Sequence, residues 1–152
     1  MNFTDTHCHI YTEQFDEDRS GIIESSIKVG VKRFLLPAID ASYTKRLTSL
    51  AGEYPTQIFP MFGLHPCSVK DNWELEIEEV QRYLFNNPTN VKPIAVGEIG
   101  LDLYWEKSFL DQQIEVLKIQ INWAKELNLP IVIHVRDAFE EILEIIDELN
   151  DE

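Results

Sequence analysis

Cysteine is scarce: Cys8 and Cys67 are the only two in 152 residues. That count argues against a disulfide-stapled secreted scaffold, and the expectation is a reducing compartment with both thiols free; a single Cys8–Cys67 bridge is the alternative. No apolar run is long enough to span a bilayer, and the N-terminus lacks a signal-peptide pattern, so a soluble cytoplasmic protein with no membrane partner is expected. Positive charge is also scarce. Lys and Arg number 13 against 27 Asp and Glu, a net charge of −14. Such a chain does not bind nucleic acid through a basic patch alone. Chemistry on phosphates stays open to it, because bound divalent cations invert the local charge. Internal repeats, low-complexity tracts and linkers are absent.

What is present is the 44% hydrophobic content of one well-cored domain, taken here as residues 1–152. Strand and helix patterns alternate five times. Strands are expected at 2–9, from Lys32 to Leu36, from Gln57 to Phe62, from Pro93 to Val96 and from Ile131 to His134. Helices are expected at 12–29, closed by Gly30, then after a cap at Asp40 or Ser42, after a cap at Asn72, from Ser108, and around Phe139 to Leu149. The strands are short, apolar and mostly not alternating, as in a parallel sheet covered on both faces. Alternating βα units imply an α/β fold with right-handed crossovers. The acidic last helix, with Glu140, Glu141, Glu144, Asp147, Glu148, Asp151 and Glu152, reads as a solvated face.

All four histidines sit at or just past predicted strand ends, where α/β enzymes keep their chemistry. If strand one runs through His9, His7 and His9 share a face and can hold one metal ion, with Asp5 on that face to orient a ring. Glu98 follows the apolar Ile94-Ala95-Val96 and would be costly to bury unpaired. A cation removes that cost, and two carboxylate oxygens can bridge two ions; a salt-bridged structural glutamate is the plainer reading. His134 and Arg136 share a face of strand five. His134 suits a second metal, and Arg136 suits a phosphate or an ion pair with a nearby acid. His65, between Leu64 and Pro66, either contacts substrate or caps its loop. Asp102 and Tyr104 are weaker candidates in an irregular stretch.

The segments Asp5-Thr6-His7-Cys8-His9, Gly63-Leu64-His65-Pro66, Gly97-Glu98-Ile99-Gly100-Leu101-Asp102 and Pro130-Ile131-Val132-Ile133-His134-Val135-Arg136-Asp137-Ala138 together resemble the successive signatures of the TatD family of metal-dependent deoxyribonucleases. The resemblance covers essentially the whole chain. It implies a (β/α)₈ TIM barrel of the metallo-dependent hydrolase type, two divalent ions (Zn, Mn or Mg) at the strand ends, and DNA as substrate. By resemblance, His7 and His9 hold one ion, Glu98 bridges and is catalytic, and His134 holds the other; His65 and Arg136 lie near the substrate phosphate. The family pattern also expects a metal histidine on a sixth strand and an aspartate on an eighth. No histidine follows His134, and Asp137, Asp147 and Asp151 do not match that aspartate. The expectation is therefore an incomplete barrel of about five βα units, truncated before the last three. It would hold possibly one ion, be weakly active or inactive, and self-associate or pair with a C-terminal fragment. Three alternatives remain: a flat doubly wound sheet, a related barrel hydrolase acting on an ester or amide, and a non-catalytic metal-binding fragment.

Overall fold

A computed structural model describes residues 1–150, so Asp151 and Glu152 of the acidic stretch lie outside the described residues. Five strands alternate with five α-helices: β1 (Phe3–Asp5), α1 (Arg19–Lys28), β2 (Val31–Pro37), α2 (Ala41–Glu53), β3 (Ile58–Met61), α3 (Trp73–Gln81), β4 (Val96–Asp102), α4 (Leu110–Leu127), β5 (Ile131–Arg136) and α5 (Phe139–Glu148). All strand pairings are parallel. β1, β2 and β3 form one ladder and β4 and β5 another, and a parallel bridge between Phe62 and Val96 joins them. The spatial order thus follows the chain order, as the wall of a barrel requires; a doubly wound sheet reverses its order at a switch point.

Several boundaries differ from the sequence pattern. β1 stops at Asp5, so His7 and His9 lie in the loop beyond it and not on a strand face. The stretch expected to be one helix at 12–29 is a short 3₁₀ turn at Glu13–Phe15 followed by α1. Asp40 caps α2 through Ser42 N–H, as its residue type favours. Asn72 and Ser108 do not cap: Asn72 Nδ2 donates to Glu76, and Ser108 turns to Glu106. β4 begins only at Val96, leaving Pro93 to Ala95 outside the strand, and runs on through Gly97 to Asp102; β5 continues past His134 through Val135 to Arg136.

Burial grades across the sheet. Every residue of β4 is buried, whereas β1 and β5 are partly open. The core under β4 includes Leu36, Leu64, Val96, Ile99, Leu101 and Leu117, each contributing about 1.5–3 kcal/mol by leaving water. Gly100, at φ 148°, lets β5 close against β4, since a Cβ there would run into the His134 carbonyl.

Two buried glutamines of α4 lock the strand ends in place. Gln113 Oε1 accepts Asp102 N–H at 2.9 Å, and its Nε2 donates to Asp102 O at 3.3 Å. Gln120 does the same to Leu64, at 2.7 and 3.3 Å. Each side-chain amide stands in for a neighbouring strand, so the backbone beside His65 and at Asp102 stays satisfied without one.

Candidate metal centre

The four loop or strand segments converge on Glu98, whose side chain is 9% exposed. Its backbone is fixed from β2: Glu98 N–H donates to Ala38 O at 3.3 Å, and Ala38 N–H donates to Gly97 O at 3.2 Å. The two carboxylate oxygens face different imidazoles. Oε2 lies 3.1 Å from His7 Nε2 and 3.8 Å from His9 Nε2. Oε1 lies 3.3 Å from His134 Nδ1 and 3.8 Å from His65 Nε2. Burial alone would raise the Glu98 carboxyl, but the His134 hydrogen bond and the surrounding histidines outweigh it and hold the group below the usual carboxylate range.

Hydrogen bonding dictates which nitrogen of His9 is free. Tyr11 is buried, and its hydroxyl donates to Pro37 O at 2.6 Å. Its oxygen is therefore left to accept from His9 Nδ1 at 2.9 Å. That puts the His9 proton on Nδ1 and the lone pair on Nε2, toward Glu98 and His7. Burial, and then the neighbouring His7, lower the His9 pKa and favour the neutral, ligand-competent ring.

On the other side, His134 Nε2 lies 2.8 Å from Asp102 Oδ2. Asp102 is 2% exposed. It accepts from the backbone N–H of Tyr104 and Trp105 on Oδ1 and from the Cys67 thiol on Oδ2. Burial opposes its ionisation, but the His134 contact and these donors win and hold its pKa low. An ionised Asp102 takes the His134 Nε2 proton as a hydrogen bond and leaves the Nδ1 lone pair facing Glu98. His134 itself is raised, first by the Glu98 hydrogen bond, which the protonated ring donates from Nδ1; the lone pair faces Glu98 once that proton is lost.

Of the two roles expected of His65, the structure shows the loop cap. It caps the 3₁₀ turn Pro66–Ser68, with Nδ1 accepting Cys67 N–H at 3.1 Å. Its neutral ring then carries a proton on Nε2, 3.2 Å from His134 Nδ1. Burial holds His65 down at about 4, so this ring is a neutral donor near pH 7.

Among the described residues, two groups have donor atoms within 4.8 Å of one another: His7, His9 and Glu98, and His65, Cys67 and His134. The first fits a divalent ion well. Two imidazoles and a carboxylate make three ligands, and His7 is 41% exposed, which leaves a side open to water. Such nitrogen-rich donors favour Zn²⁺ or Mn²⁺ over Mg²⁺. The second group is already committed to hydrogen bonds. The His65 lone pair takes Cys67 N–H, and burial followed by Asp102 pushes the Cys67 thiol up to about 11. Both cysteines are free, and Cys8, the more buried, is pushed up to about 12.

Of the sequence candidates, His7, His9, Glu98, His65 and His134 are thus brought together. Arg136 stands at the edge, its guanidinium 3.6 Å from the centroid of the Tyr104 ring. Asp5 does not orient the His7 ring but takes its backbone N–H at 3.2 Å. Asp102, ranked low in sequence, is a central buried member because β4 does not become irregular after Glu98. Strand alternation from Glu98 through Gly100 puts it on the same face, which is the signal that marks it. Tyr11, Gln113 and Gln120 have no comparable signal, since a buried tyrosine or glutamine on an apolar face looks like ordinary packing.

Solved structures define the class. The chain superposes on the structure titled YJJV, a TatD homolog from Escherichia coli, with a TM-score of 0.85 at 29% identity, covering 96% of this chain and 55% of that one. A TatD family hydrolase from Entamoeba histolytica matches with a TM-score of 0.81 at 18% identity, which speaks for the fold alone. The fold is that of TIM-barrel-type hydrolases. Within that class, the sequence model of TatD related DNase matches residues 4–152, and the chain belongs to this family. Curated relatives include the uncharacterized metal-dependent hydrolase YabD of Bacillus subtilis, 37% identical over 144 residues, which are 95% of this chain and 54% of YabD. The 3'-5' ssDNA/RNA exonuclease TatD of Erwinia tasmaniensis is 30% identical over 142 residues, 93% of this chain and 53% of that protein. The chain spans about half the length of the curated relatives it matches. None of the described helices is long and apolar enough to cross a membrane.

Proposed function

We propose that this chain carries the first five βα units of a metal-dependent phosphodiesterase acting on DNA, with His7, His9, Glu98 and His134 as metal ligands and Glu98 bridging two ions. The observation that carries the reading is the division of Glu98: one buried carboxylate presents one oxygen to His7 and His9 and the other to His134 and His65. A structural glutamate needs one partner; one shared between two sets of imidazoles suits a bridge. When bound, a pair of divalent ions supplies Lewis acidity and a water of lowered pKa. The chain's own residues do the rest. Tyr11 and Asp102 keep the His9 and His134 lone pairs aimed inward. His65, neutral with its proton on Nε2, donates to a phosphate oxygen, and the Arg136 fork binds another. The name of the Erwinia relative supports a nucleic-acid substrate.

The two ion positions are unequal. His7, His9 and Glu98 give one position three ligands, while Glu98 and His134 give the other two. We therefore expect one tight and one weak ion, and slow hydrolysis by this chain alone. With β1 and β5 partly open, self-association or pairing with a further C-terminal segment completes the picture.

Zinc titration by calorimetry, with hydrolysis of a model phosphodiester and a model carboxylester, tests the proposal. Tight zinc binding, with phosphodiester turnover that chelator abolishes and Glu98→Gln removes, supports it. Turnover that survives chelator overturns it. Carboxylester turnover alone would move the chain to an ester hydrolase.

A further inference from the structure

Tryptophan is among the most buried residue types on average, and Trp73 and Trp123 here pack against the core. Trp105 does not: it is 69% exposed, and its neighbour Tyr104 is 52% exposed. The rings meet edge to face, with centroids 4.8 Å apart and planes at 89°. Arg136 lies over both, its guanidinium 3.6 Å from the Tyr104 centroid and 5.2 Å from that of Trp105. Close by, Lys70 Nζ stands 5.2 Å over the Phe109 ring. Arg136 pairs in register with Asp102 of β4, and Lys70 lies three residues beyond Cys67, which places both charges at the flank of the metal centre. In a chain of net charge −14, exposed rings with Arg136 over them and Lys70 near, the latter also facing Glu106, are an exception.

Resting on the nucleic-acid reading above, we propose that Trp105, braced by the Tyr104 ring at right angles to it, is a stacking platform for a nucleobase of a single-stranded nucleic acid, with Arg136 and Lys70 meeting its phosphates. The chemistry matches what single strands offer: π-faces on every base and regularly spaced anions. A duplex, with its bases stacked inside, presents no such face. The geometry ties the platform to the centre through one residue. Asp102 accepts the backbone N–H of Tyr104 at 3.1 Å and of Trp105 at 3.2 Å on Oδ1, while Oδ2 lies 2.8 Å from His134 Nε2. The carboxylate that orients a candidate metal ligand therefore also sets the backbone of the platform. A stacked base would hold its strand at a fixed offset from the Glu98 cluster.

The test uses the full chain in chelator, so that hydrolysis is off. Indole N–H signals are followed by NMR while a short single-stranded oligothymidylate, or an abasic strand of the same length, is added. The Trp105 signal, assigned with Trp105→Phe, should move with the oligothymidylate and stay nearly still with the abasic strand; those of Trp73 and Trp123 should not move. Trp105→Ala should weaken oligothymidylate binding about 5-fold to 100-fold, and Trp105→Phe should restore most of it. Equal responses to the two strands, or unchanged binding by Trp105→Ala, would overturn the platform. The outcomes separate the two proposals. Zinc binding without base dependence removes the platform alone. A base-dependent Trp105 shift in a chain that fails to bind zinc keeps the platform and removes the metal reading.

Discussion

The two sides of Glu98 are built by different means. On the Oε2 side, His7 and His9 hang from a loop that follows a three-residue strand, and His7 is 41% exposed. Only His9 has an anchor for its ring among the contacts described, the Tyr11 hydroxyl. On the Oε1 side, His134 projects from a six-residue strand, and beneath it sits buried Asp102, itself clamped by Gln113. One side is rich in ligands and loosely supported; the other is poor in ligands and firmly supported. A site needs both ligand number and orientation, so the two sides should fail differently when perturbed.

The largest effect is expected at the ligand-rich side. Replacing His7 and His9 together with Ala should abolish stoichiometric zinc binding in calorimetry, because Glu98 and His134 alone are too few ligands. A double variant that binds zinc like the parent would reverse the comparison and make the Oε1 side the principal site. Next is Asp102→Asn. Its amide can present an N–H to His134 Nε2, which forces the ring proton onto Nδ1, the atom facing Glu98. Affinity for the weaker ion should fall about 10- to 100-fold while the tight site changes little, and ¹⁵N shifts of the His134 ring should report the tautomer exchange.

Tyr11→Phe should act on the opposite side. Without the hydroxyl, His9 Nδ1 loses its acceptor, and zinc affinity at the tight site should drop by about 10-fold. A larger loss than this would show that the loop depends on its anchor as much as β5 depends on Asp102. The smallest effect is a control away from both sides. Lys118 pairs with Glu148 at 2.6 Å on the surface, and Lys118→Met should change stability by less than about 1 kcal/mol in urea unfolding and leave zinc titration unaltered.

Among the described residues strands and helices alternate in chain order, as the pattern expects, and His7, His9, His65 and His134 all lie beside Glu98. What the pattern misplaced were ends. β1 was drawn too long because Thr6 to His9 continues a strand-like alternation, yet the backbone leaves the sheet after Asp5. β4 lies later than the pattern places it, sharing only Val96 with the expected Pro93 to Val96, because its glycines look like a turn. Gly97 is there for close approach: a Cβ at Gly63, just past β3, would lie 2.8 Å from the Gly97 carbonyl carbon, and one at Gly97 would lie 2.8 Å from Val132 Cβ. Glycine spacing cannot distinguish a bend from two backbones in contact. That ambiguity is what hid Asp102.

Sequence by itself determined the α/β alternation, the shortage of positive charge, and the set of imidazoles and carboxylates available for chemistry. These follow from local periodicity and residue type, which need no knowledge of neighbours. Tertiary structure decided which Glu98 oxygen faces which imidazole, which nitrogen of His9 and His134 keeps its lone pair, and that Asp102 stands behind His134. Those choices rest on hydrogen bonds between groups far apart in the chain: Glu98 and His134 are 36 residues apart, Asp102 and His134 are 32 apart, and the Tyr11 hydroxyl that sets His9 is itself held by Pro37, 26 residues on. Whether such a bond forms depends on strand register and on the few tenths of an ångström that glycine packing permits, quantities that no local pattern encodes.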